Sequence, residues 1–199
     1  AFLTDSGAYT IIDKDSPYYR WNITFTQEEM TEAIETVLEN RKSLMADAIL
    51  VEDEDGKFVS SEVLELGTVT AIEVTERTVS GVVSRLVIHG SEHTISISGQ
   101  SNIRAILNPV KQEIVRQDGS SVTGWTSLPS PYYYVEKTED GFIVHGGGFG
   151  HGAGMSIYGA GVLGRQGKSY KYILRHYFSY VDFASIYMME DGEQMIDSK

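Results

Sequence analysis

Apolar residues recur at two periods along this chain, and the switches between them lay out most of its elements. After Thr26 the run TQEEMTEAIETVLENRK places Met30, Ala33, Ile34, Val37 and Leu38 at helical spacing, one apolar stripe on an otherwise polar helix. Thr26 with Glu29 three positions on is a capping box, in which each side chain satisfies a backbone N–H left over at the helix start. The glutamates of this run fall on the solvent face and read as solvation. Val69–Thr75, Val82–His89 and Thr94–Ser98 then alternate at period two, with Gly81 and Gly90-Ser91 as punctuation, which predicts a short antiparallel meander.

Further on, Gly99–Leu107 predicts a short helix, with Ser101 as a candidate cap, Arg104 inside it and Pro109 as its stop. Short strands are predicted at Glu113–Arg116 and Ser121–Thr123 around Asp118-Gly119. A hairpin follows, Tyr132–Glu136 and Phe142–His145, joined by Glu139-Asp140-Gly141. Two helices close the pattern. Met155–Gly164 is rich in alanine and glycine, and Ser169–Phe178 carries Tyr170, Ile173, Leu174, Tyr177 and Phe178 on one stripe. The fold class that results is α+β: a twisted antiparallel sheet or small barrel with two to three packed helices.

Some stretches carry no such period. Ala1–Asn22 is turn-rich and polar, cannot bury a core alone, and reads, as 1–25, as the remnant of an upstream segment; 26–189 reads as the main body and 190–199 as a polar tail. Asp47–Gly67 is acidic and mixed. Its EDEDGK, Glu52–Lys57, lacks the ligand spacing of an EF-hand and reads as a solvated hairpin or loop.

Composition narrows the function classes. The 199 residues include 41% hydrophobic and 22% charged positions, the mix of a globular chain with a real core. A net charge of −12 argues against a sequence-independent grip on nucleic acid or anionic lipid, both of which want a basic face. No apolar run is long enough to span a bilayer. The start, AFLTDSGAYT, has neither the basic opening nor the apolar stretch of a signal peptide. With no cysteine, disulfides and thiolate metal sites are excluded.

The densest chemistry lies in HGGGFGHGAGMSIYGAGVLGRQGKSYKYILRHYF, His145–Phe178. So many glycines allow positive φ angles and close backbone approach at a cost in chain entropy, which a bland turn would not need. Gly148–Ala153 formally fits a dinucleotide fingerprint, but its surroundings are antiparallel and no acidic residue follows about twenty positions on. A phosphate loop would need Lys-Ser/Thr at its end. His145 and His151 lack a third zinc ligand, and His89 with His93 read as surface residues beside a turn. Gly154–Gly159 is one residue out of register for a serine nucleophile elbow. What remains is a loop with exposed amides, an imidazole and a hydroxyl beside tyrosines, a surface suited to a hydroxyl-rich ligand such as a glycan.

This stretch resembles the C-terminal signature of the stage II sporulation protein D (SpoIID) family, shared with amidase-enhancer proteins: Gly-x-Gly-His-Gly-Val-Gly-Met-Ser-Gln-x-Gly-Ala, then Gly-Lys-Ser-Tyr, then an Ile-Leu-x-His-Tyr-Tyr helix. Earlier pieces are similar in the family's order: SPYYRW before the capped helix, the hairpins, the Arg104 helix, and LPSPYYYVE before the last hairpin. The resemblance implies lytic transglycosylation of denuded peptidoglycan in sporulation or cell-wall remodelling. In that reaction one glutamic acid protonates the glycosidic oxygen, then serves as base toward the C6 hydroxyl, closing a 1,6-anhydro ring. It implies no metal or cofactor. The partners it implies are peptidoglycan glycan strands and other wall hydrolases, and the location is extracytoplasmic, in the wall or the space between forespore and mother cell, with any membrane anchor upstream of this chain.

Two departures qualify it. The family's glutamate lies in an upstream Ala-Ala-Glu-Met-Pro type motif that is not in this chain, so no residue here inherits the catalytic role. The glutamine after Met-Ser is Ile157, and the second tyrosine of the last helix is Phe178. By matching position, His151 and Ser156 are the candidates to line a glycan cleft, with Gly150, Gly152 and Gly154 shaping the loop and Tyr177 nearby. Each has a plain alternative: His151 as a cap or a bond to a buried carbonyl, Ser156 as a helix cap, Met155 and Tyr177 as packing, Arg104 as a surface ion pair. The activity class has an alternative too, a non-catalytic wall-binding or amidase-stimulating module.

Overall fold

A computed structural model describes residues 12, 14–62 and 65–184; the tail read at 190–199 lies outside them. The described residues fall into two compact units, one of Asp15–Gly152 and one of 153–184 with Ile12 and Lys14.

Among the described residues, the first unit holds all ten strands and two of the four α-helices. It begins with β1 (Trp21–Thr26), which runs directly into α1 (Gln27–Leu44). The capping box is formed: Glu29 N donates to Thr26 Oγ1 at 3.2 Å, and Thr26 N donates to Glu29 Oε2 at 2.8 Å. The buried face of α1 is Met30, Ala33, Ile34 and Leu38, with Val37 packed at its margin. It packs against β1, β10 (Gly141–Gly146) and β4 (Val69–Arg77).

Every strand pairing is antiparallel, in two five-stranded sheets. One sheet contains β5 (Val83–Gly90), β6 (Thr94–Ser98), β2 (Ile49–Glu52) and β3 (Phe58–Val59), in the order β3-β2-β6-β5-β4. The other adds β7 (Ile114–Arg116), β8 (Ser121–Val122) and β9 (Tyr133–Lys137), in the order β8-β7-β1-β10-β9. Residues one apart on a strand face opposite ways, so Trp21, Ile23 and Phe25 enter the core while Asn22 and Thr24 do not. They join Ile49, Leu86, Ile88, Ile95, Ile97, Phe142 and Val144 in one apolar cluster.

The α+β class stands, and the described residues form two open sheets and four α-helices in place of a single sheet or barrel with two to three. All of β1 but Thr26 lies within the span read as a remnant, and its first residue, Trp21, is 2% exposed. The EDEDGK hairpin is formed, and Asp53 Oδ1 accepts from Asp55 N at 3.0 Å and Lys57 N at 2.8 Å. That carboxylate oxygen is engaged by its own turn. The predicted cap of α2 (Gln100–Ala105) is corrected: the cap residue is Gly99 at φ +84°, with no side-chain bond, because the turn out of β6 needs a left-handed residue there.

The second unit holds α3 (Ile157–Arg165) and α4 (Tyr170–Tyr177), which pack on each other. Each is capped by a serine: Gly159 N donates to Ser156 Oγ at 3.0 Å, and Tyr172 N to Ser169 Oγ at 3.3 Å. Gly159 lets the helices approach, since a Cβ there would lie 2.2 Å from the Tyr177 hydroxyl.

Candidate functional site

β10 ends at Gly146, whose register partner on β1 is Trp21; a Cβ on Gly146 would sit 2.0 Å from the indole. The chain leaves the sheet there and enters the glycine-rich loop. Gly148, Gly150, Gly152 and Gly154 take φ of +82°, +114°, +85° and +78°. Every second residue is thus in a region that L side chains avoid, which makes the alternation a backbone requirement.

Hydrogen bonds fix the start of this loop. Gly147 N donates to Tyr132 O at 2.9 Å, Gly148 N to Tyr18 O at 2.7 Å, and Gly150 N to Pro129 O at 2.9 Å. Trp21 Nε1 reaches Gly148 O at 3.0 Å, and the buried Ser130 Oγ reaches Gly147 O at 2.6 Å. The expectation of a loop exposing its amides is therefore corrected at three positions, whose N–H groups are spent on neighbouring carbonyls.

Arg104 supports the same structure from beneath. Its Nε donates to Leu128 O at 3.0 Å and its Nη2 to Pro129 O at 3.3 Å. Burial pushes its pKa below the usual arginine value. It acts as a brace for the LPSP segment, so the surface ion pair offered above does not describe it.

The candidate residues divide between the two units. Gly150, His151 and Gly152 belong to the first; Gly154, Ser156 and Tyr177 belong to the second. His151 is exposed, and its carbonyl accepts from the Gln100 side-chain amide. Gly152 is confined as well as left-handed: a Cβ would meet Val82 Cγ2 at 2.9 Å and the Tyr132 ring at 3.1 Å. Ser156 caps α3, and Tyr177, half-buried, stands edge-on to His176 at 4.8 Å between ring centres.

Two groupings beside the loop escape a reading by motif. Tyr18, Trp125 and Phe149 form an aromatic cluster, with ring centres 5.0 to 5.7 Å apart. Phe149 remains 64% exposed, so the loop carries an open aromatic face. On the same sheet, a cleft of about 140 Å³ brings Arg20, Asn22, Arg116, Tyr134 and His145 together. The SPYYRW string contributes to both, a signal visible in the sequence but without a period to interpret it.

Among the described residues no three His, Asp or Glu side chains gather as a metal site. His93 Nδ1 lies 2.6 Å from Glu65 O, while His145 Nε2 lies 2.8 Å from Glu136 Oε2. No helix among the described residues is long and apolar enough to cross a membrane.

Comparison with known proteins adds local likenesses. Over 98 residues, 48% of this chain, it is 30% identical to an uncharacterised protein of Brachyspira hyodysenteriae. Over 58 residues, 29% of the chain, it is 40% identical to the amidase enhancer of Bacillus subtilis. Over 37 residues, 19% of the chain, it is 54% identical to stage II sporulation protein D of Bacillus amyloliquefaciens. These matches span 27%, 8% and 11% of the respective relatives. A family model, domain of unknown function DUF8618, matches residues 51–154, from β2 through the glycine-rich loop, and with more than half of its length so matched the chain belongs to that family.

Proposed function

We propose that this chain binds peptidoglycan glycan strands as the substrate-holding part of a lytic transglycosylase akin to stage II sporulation protein D. The observation that carries the reading is the loop of alternating left-handed glycines, bolted to three carbonyls and bearing the exposed His151. A backbone without side chains at every second position lets a bulky polymer lie close. The exposed Phe149 ring beside it offers a flat apolar face of the kind that packs on a sugar ring. The likenesses to the amidase enhancer and to stage II sporulation protein D support a cell-wall role.

In this reading the general acid is a carboxyl outside these 199 residues. His151 orients a hydroxyl of the bound strand, and Ser156 stabilises the start of α3 and through it the loop's exit. Work in the wall would place the protein outside the cytoplasm, with other wall hydrolases as partners.

The likeness to the amidase enhancer favours a second reading, a wall-binding module that stimulates an amidase without cleaving glycan itself. One experiment separates them. Denuded peptidoglycan is incubated with this chain and with a form extended by the sequence encoded ahead of Ala1, and 1,6-anhydro muropeptides are sought by mass spectrometry. Product from the longer form only supports the transglycosylase. Retention of the chain on the strands with product from neither supports the module.

A further inference from the structure

The cleft described above lies on the β7-β1-β10-β9 sheet. Asn22, His145 and Tyr134 occupy one register row across β1, β10 and β9. The Tyr134 and His145 rings stack, 4.8 Å between centres and 19° between planes, and form an aromatic wall. Gly146 adds no side chain, so the Trp21 ring comes up against the backbone there. Arg20 and Arg116 bring two positive charges into a chain whose net charge is −12.

None of the residues lining this cleft is acidic. Glu136 is paired with His145, and Asp118 accepts from Ser120 N and from the Ser120 hydroxyl. Asp118 is exposed and lies close enough to Arg116 to feel its charge, but water screens an exposed carboxylate. Arg116 Nε, by contrast, is buried and has no hydrogen-bond partner. A buried donor without an acceptor costs free energy. Guanidinium donors form a planar fork that matches a carboxylate.

Size decides what fits. Sites for whole small molecules run from about 300 Å³ upward, so a cleft of about 140 Å³ takes one acidic group and leaves the rest of its carrier outside.

We propose that this cleft is a carboxylate subsite, and that the group it takes is the lactyl acid of a muramic-acid sugar, held by Arg116 and Arg20 beside the Tyr134–His145 wall. The carboxylate class rests on the cleft alone; the choice of sugar rests on the wall-glycan reading above.

The test titrates the full chain, ¹⁵N-labelled, with N-acetylmuramic acid, N-acetylglucosamine, glucuronic acid and inorganic phosphate. The expected result is that N-acetylmuramic acid moves the Asn22 and Gly146 amides, while N-acetylglucosamine, which lacks the acid, does not. Arg116→Gln weakens binding at least tenfold and Arg116→Lys, which keeps the charge and loses the fork, weakens it less. Arg165→Gln, the same charge change on exposed α3, leaves binding as it was. Thermal melts of the three variants matching the wild type tie the loss to the site.

Equal binding of the two N-acetyl sugars, an unchanged affinity in Arg116→Gln, or tighter binding of phosphate than of either acid overturns the carboxylate subsite. Glucuronic acid binding more tightly than N-acetylmuramic acid overturns the choice of sugar. If the chain fails to hold denuded strands yet binds N-acetylmuramic acid here, the wall reading falls and the subsite stands.

Discussion

Arg104 and Gly150, far apart in the chain, donate to the same atom, the carbonyl oxygen of Pro129, at 3.3 and 2.9 Å. The guanidinium holds the LPSP segment from α2, and the segment in turn holds the glycine loop. Position is thereby passed from a core helix to the exposed stretch that carries His151.

Arg104→Ala removes both of its carbonyl contacts and leaves Leu128 O and Pro129 O with one donor fewer each. Hydrogen bonds from a charged group contribute about 1.5–3 kcal/mol, so urea unfolding is expected to show a loss of about 2–3 kcal/mol. Arg104→Lys recovers little, since one ammonium lacks the fork that spans two successive carbonyls.

Gly152→Ala is destabilising twice over, through its φ of +85° and through the Val82 and Tyr132 atoms a Cβ would meet. Strained left-handed residues cost about 1–3 kcal/mol. Gly164→Ala serves as the opposite case: it lies inside α3 with nothing near its Cβ, so it is expected to stabilise by about 0.5–1 kcal/mol. Thermal melts of the two variants, moving in opposite directions, check the pair.

Ser156→Ala should cost about 1 kcal/mol, the usual worth of a helix N-cap. Ser156→Asp keeps an acceptor for the Gly159 amide and should restore stability. Glycan retention that recovers together with stability in Ser156→Asp assigns this serine to capping. Retention that stays low in a stable Ser156→Asp gives its hydroxyl a contact of its own.

Tyr133 is fully buried, with its hydroxyl donating to Ile103 O at 3.0 Å. Burial raises its pKa above the ordinary 10.0, ahead of a smaller opposing effect of Arg77. The folded state thus favours the protonated phenol. Its contribution is whole below about pH 10, the unfolded value, and is lost as pH climbs beyond it. Tyr133→Phe should cost about 1 kcal/mol at pH 7 by losing the hydrogen bond, and should lose less stability than the wild type between pH 9 and 11.

Much of this architecture is legible in the chain. The α1 stripe, the Thr26–Glu29 box, the β4–β5–β6 meander and the β9–β10 hairpin follow from local periods and turn residues, and each forms. β1 and β2 are less legible. WNITFT is short, follows a polar stretch, and pairs with β10 across more than a hundred residues, while ILVE is four residues inside an acidic span. Such strands are fixed by non-local partners that no local window contains. The same holds for the site. Glycine spacing marks the loop, but the spending of its amides and the brace from Arg104 depend on Tyr18, Pro129 and Tyr132, which only the fold brings near. The Arg20–Arg116 cleft likewise joins segments adjacent in space and distant in sequence.

The most direct test of the central claim is co-sedimentation of the 199-residue chain with denuded peptidoglycan strands, followed by mass spectrometry of the soluble fraction. The account predicts that the chain pellets with the strands, that His151→Ala with an unchanged melt pellets less, and that no 1,6-anhydro product is released without the longer form. A chain that stays in the supernatant, or one that releases 1,6-anhydro product by itself, would contradict it.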